Sequence, residues 1–136
     1  MRIDTKIAIV VREDLLVWQK LNVASFLAGG LGGAEPELAG EPYVDGSGRI
    51  YGRLVRQPIL IFSASGEALT RVLHRAMERN LRPSIYTRAL FVTGNDVANR
   101  AAVAALATEA LDLVGFGLHA ERKDVDKITK GLALHP

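Results

Sequence analysis

From Lys6 to Arg12 the chain reads Lys-Ile-Ala-Ile-Val-Val-Arg, an unbroken run of β-branched and apolar residues that stops at the charged Arg12, Glu13 and Asp14. A strand apolar on both faces belongs at the centre of a sheet covered on both sides. A long apolar helical pattern follows at once. This order predicts a central strand that delivers Arg12, Glu13 and Asp14 to the sheet rim, where open α/β sheets usually hold ligands.

The rest of the chain repeats the alternation. Asp14 is positioned to cap the first helix, in which Val17, Leu21, Ala24, Ala28 and Leu31 make one apolar stripe and Val23, Phe26 and Leu27 a second. A helix apolar on two faces is buried on two sides, either between the sheet and other elements or against a partner subunit, and a homodimer is expected. Gly29-Gly30 and Gly32-Gly33 are read as ending it. A Gly- and Pro-rich loop from Ala34 to Gly48, with a turn at Asp45-Gly46-Ser47-Gly48, leads into a short strand at Arg49 to Leu54.

A buried strand is expected at Gln57 to Phe62, followed by a helix capped by Ser63 or Ser65 and stopped near Asn80. A third strand covers Ser84 to Phe91. Thr93-Gly94-Asn95-Asp96 opens an alanine-rich helix reaching about Leu111, whose small side chains point to close contact with a neighbour. Leu113 to Leu118 is a last buried strand ending at His119, and Arg122 to Gly131 a final helix. Strand and helix alternate throughout, as in a single α/β domain over residues 1–136 with a mixed, mostly parallel sheet and helices on both faces.

Seventeen Lys and Arg against fifteen Asp and Glu leave a net charge of +2, too balanced to mark a nucleic-acid or membrane binder. The absence of cysteine fits a reducing cytoplasm. The first apolar run is strand-length and preceded by charge, so no export signal or membrane span is expected. The three histidines, His74, His119 and His135, are scattered, and neither a metal site nor a cofactor is expected.

Short motifs carry a family likeness. Ile9-Val10-Val11-Arg12-x-Asp14-Leu15 resembles the first strand and turn of the type-II peptidyl-tRNA hydrolases. Val114-Gly115-Phe116-Gly117 and Val125-Asp126-Lys127-Ile128-Thr129-Lys130-Gly131-Leu132 resemble their close. Trp18-Gln19-Lys20-Leu21-Asn22-Val23 is similar to an uncharacterised family, a domain of unknown function placed in that superfamily. The resemblance implies a compact three-layer sandwich and makes tRNA a conceivable partner. It departs in its chemistry: Ser25 stands where those hydrolases have glutamine, Ala28 where they have a helix histidine, and Leu21 where they have lysine, with Lys20 adjacent.

Several residues invite a functional reading beside a plain one. Asp14 is a helix cap, or a carboxylate that with Lys20 could position water or stabilise an oxyanion. Asn22 lies between apolar neighbours, where a buried amide needs partners. Thr93 and Asn95 cap a helix, or expose amides to an anion. His119 is a surface histidine, or reaches the same rim as Arg12. Trp18 anchors the core or a dimer, or stacks on a ligand. Arg49, Arg53 and Arg56 with Tyr51 form a basic stretch whose default reading is a solvated edge. Ser63-x-Ser65-Gly66 lacks the glycine before serine of a nucleophile elbow.

The expectation is therefore a small polar or anionic ligand, a metabolite or nucleotide, held where Arg12, Asp14, Asn22, Asn95 and His119 converge. A divergent hydrolase acting on peptidyl-tRNA or a related ester, with Asp14 and Lys20 as candidate catalytic residues, is one alternative. A homodimeric interaction module is the other.

Overall fold

The computed structural model describes residues 3–136. Strand β1 (Thr5–Arg12) is followed by helix α1 (Val17–Ala34), then β2 (Ile59–Ala64), α2 (Gly66–Glu78), β3 (Ser84–Thr87), α3 (Asp96–Ala104), β4 (Leu113–Glu121), α4 (Arg122–Ile128) and β5 (Ala133–Leu134). The strands form one five-stranded sheet in the order β3-β4-β1-β2-β5. As its composition demands, β1 lies at the centre, and Ile7 to Val11 are all at most 2% exposed.

Alternation along β1 divides the core. Ala8 and Val10 face a cluster with Leu69 and Val72 of α2, Phe116 and Leu118 of β4, and Val125 and Ile128 of α4. Ile9 and Val11 face the opposite cluster, built with Val23 and Leu27 of α1. Helices therefore cover both faces of the sheet.

The sheet is mixed but not mostly parallel. Only β1 and β2 run parallel; β1–β4, β3–β4 and β2–β5 are antiparallel. The cause is α3. It has no buried residue, so it does not cross the sheet as the helix of a parallel βαβ unit would. The chain leaves β3, makes this excursion at the surface, and returns antiparallel beside β3 as β4. The alanine-rich segment does meet a neighbour, the 3-10 turn Arg88–Phe91, against which it half-buries Ala98, Asn99, Ala102 and Val103, but the helix stops at Ala104 rather than Leu111.

Three further boundaries differ from the expectation. Asp14 does not cap α1: Leu16 occupies that position, and its N–H donates to Gln19 Oε1 at 3.0 Å. Nor do the four glycines end α1, which continues to Ala34. Glycine weakens a helix interior by about 1 kcal/mol per residue, but Leu27 and Leu31 are 3% and 8% exposed, and their burial on the sheet holds the segment helical. Between Ser84 and Phe91 the strand gives way after Thr87 to a single 3-10 turn, with a register irregularity at Tyr86/Thr87.

Other readings hold. Ser65 caps α2, accepting from the Ala68 N–H at 3.2 Å, and Asn80 follows its end in the left-handed conformation (φ 56°). The turn after Val44 is organised by Asp45, whose Oδ1 accepts from the N–H groups of Ser47 and Arg49. The strand expected at Arg49 to Leu54 is reduced to isolated bridges, Val44 to Ile50 and Ala39 to Val55. No helix among the described residues is long and apolar enough to cross a membrane.

Candidate functional site

At the rim beyond β1, Arg12 and Asp14 do meet, but in a closed ion cluster. Arg12 Nε lies 3.1 Å from Asp14 Oδ1, and its Nη1 lies 2.8 Å from Asp112 Oδ1. Arg88 joins through Asp112 Oδ2 at 2.9 Å and Asp14 Oδ1 at 4.0 Å. Arg12 projects to the α2 side, where a Cβ on Gly66 would stand 2.9 Å from its Cζ. Glycine at the first position of α2 is what lets the guanidinium lie there. Two cations and two carboxylates neutralise one another, so Arg12 and Asp14 are held in internal pairs.

The other residues expected there have partners of their own. Asn22 is exposed on α1, and its Nδ2 donates back to the Trp18 carbonyl at 3.2 Å. Asn95 caps α3, accepting from the Ala98 N–H at 2.8 Å. Thr93 donates to the Leu90 carbonyl at 3.1 Å and pairs with Asn99. His119 sits at the opposite end of the sheet. It lies across from Ile7, five residues back along β1 from Arg12, or about 17 Å at strand rise. Its Nδ1 is 2.5 Å from Glu35 Oε2 and its Nε2 is 2.9 Å from Thr5 Oγ1. His119 does not join Arg12 and Asp14 in one pocket, because β4 runs antiparallel to β1 and carries it away from the rim.

A different concavity lies on the α1 face. Val11 of β1 and Ile61 of β2 line its sheet side; Val17, Leu21 and Ala24 line its helix side; Lys20 and His135 supply its polar groups. Its volume is about 340 Å³, at the lower end of small-molecule sites. Lys20 Nζ is 3.2 Å from His135 Nε2, and His135 Nδ1 is 3.0 Å from the Pro136 backbone oxygen. That carbonyl can only accept, so it selects the proton on Nδ1 and leaves Nε2 to accept from the Lys20 ammonium. The imidazole is anchored from behind by the His135 N–H donating to the Ile61 carbonyl at 2.9 Å, beside the β2–β5 pairing.

One cation thus stands at the edge of an otherwise apolar crevice, facing an imidazole rather than a carboxylate. Lys20 was legible as a candidate from its place in the first helix. His135 was not: β5 is two residues long, too short for any periodicity, and nothing in the C-terminal Leu-Ala-Leu-His-Pro announces a pairing across 115 positions.

The family model described as protein of unknown function (DUF2000) matches residues 5–136. A solved structure of a protein of unknown function from Agrobacterium tumefaciens is 45% identical, with a TM-score of 0.96 over 99% of this chain and 100% of that one. No curated protein matches.

Proposed function

The chain belongs to the DUF2000 family, and from that premise we propose that it is a small-molecule-binding protein whose ligand is an amphipathic anion held in the Lys20–His135 crevice. The carrying observation is the 3.2 Å approach of Lys20 Nζ to His135 Nε2 at the edge of apolar walls. A ligand carboxylate or phosphate would take the ammonium from the imidazole, an ammonium–anion pair replacing an ammonium–imidazole bond. Its hydrocarbon or ring would lie against Val11, Val17, Leu21, Ala24 and Ile61, each buried methylene contributing about 0.8 kcal/mol. The polar or anionic ligand of the sequence reading is kept, and its place moves from the Arg12 rim to the α1 face.

Calorimetry and thermal shift with octanoate, octanol and octylamine test this reading. Octanoate is expected to bind and to raise the melting temperature of the wild type, with octanol weaker and octylamine inactive. Saturation at 100 times Kd corresponds to about 2.7 kcal/mol of added stability. Equal octanoate binding by Lys20→Ala, or preference for the amine, would overturn it.

A second reading, the divergent hydrolase, is favoured by the same pair, since the imidazole can accept a proton once its Nε2 is released by Lys20, and the ammonium can stabilise an oxyanion. It fits the likeness to type-II peptidyl-tRNA hydrolases, with tRNA as partner. Asp14 no longer serves it, being held by Arg12. Cleavage of a peptidyl-tRNA by wild type, lost in Lys20→Ala, is its expected result; no cleavage by either ends it.

A further inference from the structure

We propose that the outward face of α1 is covered by α1 of a second copy of this chain, and that this contact walls the open side of the Lys20–His135 crevice. Trp18, Leu21 and Phe26 on this helix are 53%, 64% and 62% exposed, a contiguous apolar surface of the kind that marks interaction sites. Along the same side Ser25, Gly29 and Gly33 recur every fourth residue, and a Cβ on either glycine would meet nothing within 4 Å. Space for close backbone approach is open from the outside.

The two polar side chains of this face are spent on the helix itself. Ser25 Oγ donates to the Leu21 carbonyl at 2.7 Å and Asn22 Nδ2 to that of Trp18 at 3.2 Å, so each keeps one bond when the face is covered, which lowers the cost of dehydrating it.

Charge identifies the occupant. Lys20 is the only charged residue from Val17 to Ala34, and it is turned into the crevice. A charged partner surface would lose its hydration against this face without gaining a counter-charge. A lipid surface is disfavoured because interfacial helices carry Lys and Arg on their flanks. A second α1 brings an equally uncharged face against this one. An 18-residue helix is roughly 27 Å long, and its outer half presents about 400 Å², half the ~800 Å² per partner of a standard interface. The dimer is therefore a dissociable one. Val17 and Leu21 line the crevice and are 73% and 64% exposed, so the second copy narrows its mouth. Only this last link rests on the ligand reading; the self-association does not.

Sedimentation velocity of the full chain across a range reaching about 1 mM tests the proposal. Wild type is expected to pass from monomer to dimer with rising concentration. Gly29→Arg, which places a charge in open space and improves helix propensity, is expected to stay monomeric and folded by circular dichroism, with octanoate affinity lowered several-fold. A wild type monomeric throughout, or a dimer that survives Gly29→Arg, overturns it. Octanoate binding that is unchanged in the monomeric Gly29→Arg removes the crevice wall. Loss of binding in Lys20→Ala with the dimer intact separates the ligand site from the interface.

Discussion

Gly115 of β4 lies directly against Val23 of α1: a Cβ built on the glycine would stand 2.3 Å from Val23 Cγ1 and 3.0 Å from Leu27 Cδ1. The helix can rest this closely on the sheet only because that strand position has no side chain. The same approach sets the distance from α1 to Val11 and Ile61, and so the width of the crevice beside them.

Gly115→Ala is accordingly expected to destabilise the fold by about 1–3 kcal/mol, the usual cost of overpacking a tight core. Chemical denaturation should show a lower midpoint at unchanged slope. A double variant with Val23→Ala, which clears the clashing methyls, should recover part of that loss. A Gly115→Ala variant as stable as wild type would mean that the contact is loose.

The crevice can be filled rather than emptied. Ala24→Phe, at a half-buried position on its helix wall, is expected to abolish octanoate binding while Lys20 remains. Filling an open apolar pocket costs little, so stability should change by less than about 1 kcal/mol. Binding that persists in Ala24→Phe would place the ligand elsewhere.

The loop turn has its own titration. The Tyr51 hydroxyl, donating to Asp45 at 2.8 Å, followed by the N–H groups of Arg49 and Ser47, holds the Asp45 carboxyl below its ordinary value of 3.8. A carboxyl with a depressed folded-state pKa contributes stability that is present above the unfolded value and lost as pH falls through the folded one. The turn should therefore loosen only below pH 3.8. The same bond raises Tyr51 above its ordinary 10.0, so that contribution is present below pH 10.0 and lost as pH rises through the folded value. In Tyr51→Phe, a carboxyl-detected NMR titration should find Asp45 moved upward.

The two observed caps can be ranked. Ser65→Ala is expected to cost about 1 kcal/mol, because Ser65 starts α2, whose Leu69 and Val72 are fully buried. Asn95→Ala removes an equivalent bond from α3, which has no buried residue. Its loss should fray that helix, seen as faster amide exchange at Ala98, and leave global stability nearly unchanged. Equal global costs would mean that α3 is integral to the core.

Local sequence by itself determined that β1 is a buried central strand, that α2 is capped at Ser63 or Ser65 and stopped at Asn80, and that the chain is α/β with helices on both faces. These rest on runs and periodicities spanning a few residues, each of which carries its own burial or hydrogen-bonding requirement. Tertiary structure decided strand direction and everything that depends on it. A buried strand reads alike in either direction, and only the surface excursion through α3 returned β4 antiparallel, bringing Asp112 to Arg12 and taking His119 to the far end. Packing on the sheet likewise carried α1 through four glycines that local propensity would end. The Lys20–His135 pair exists because a two-residue edge strand docks on β2, an event stabilised by the neighbouring strand and not by any pattern within the segment itself.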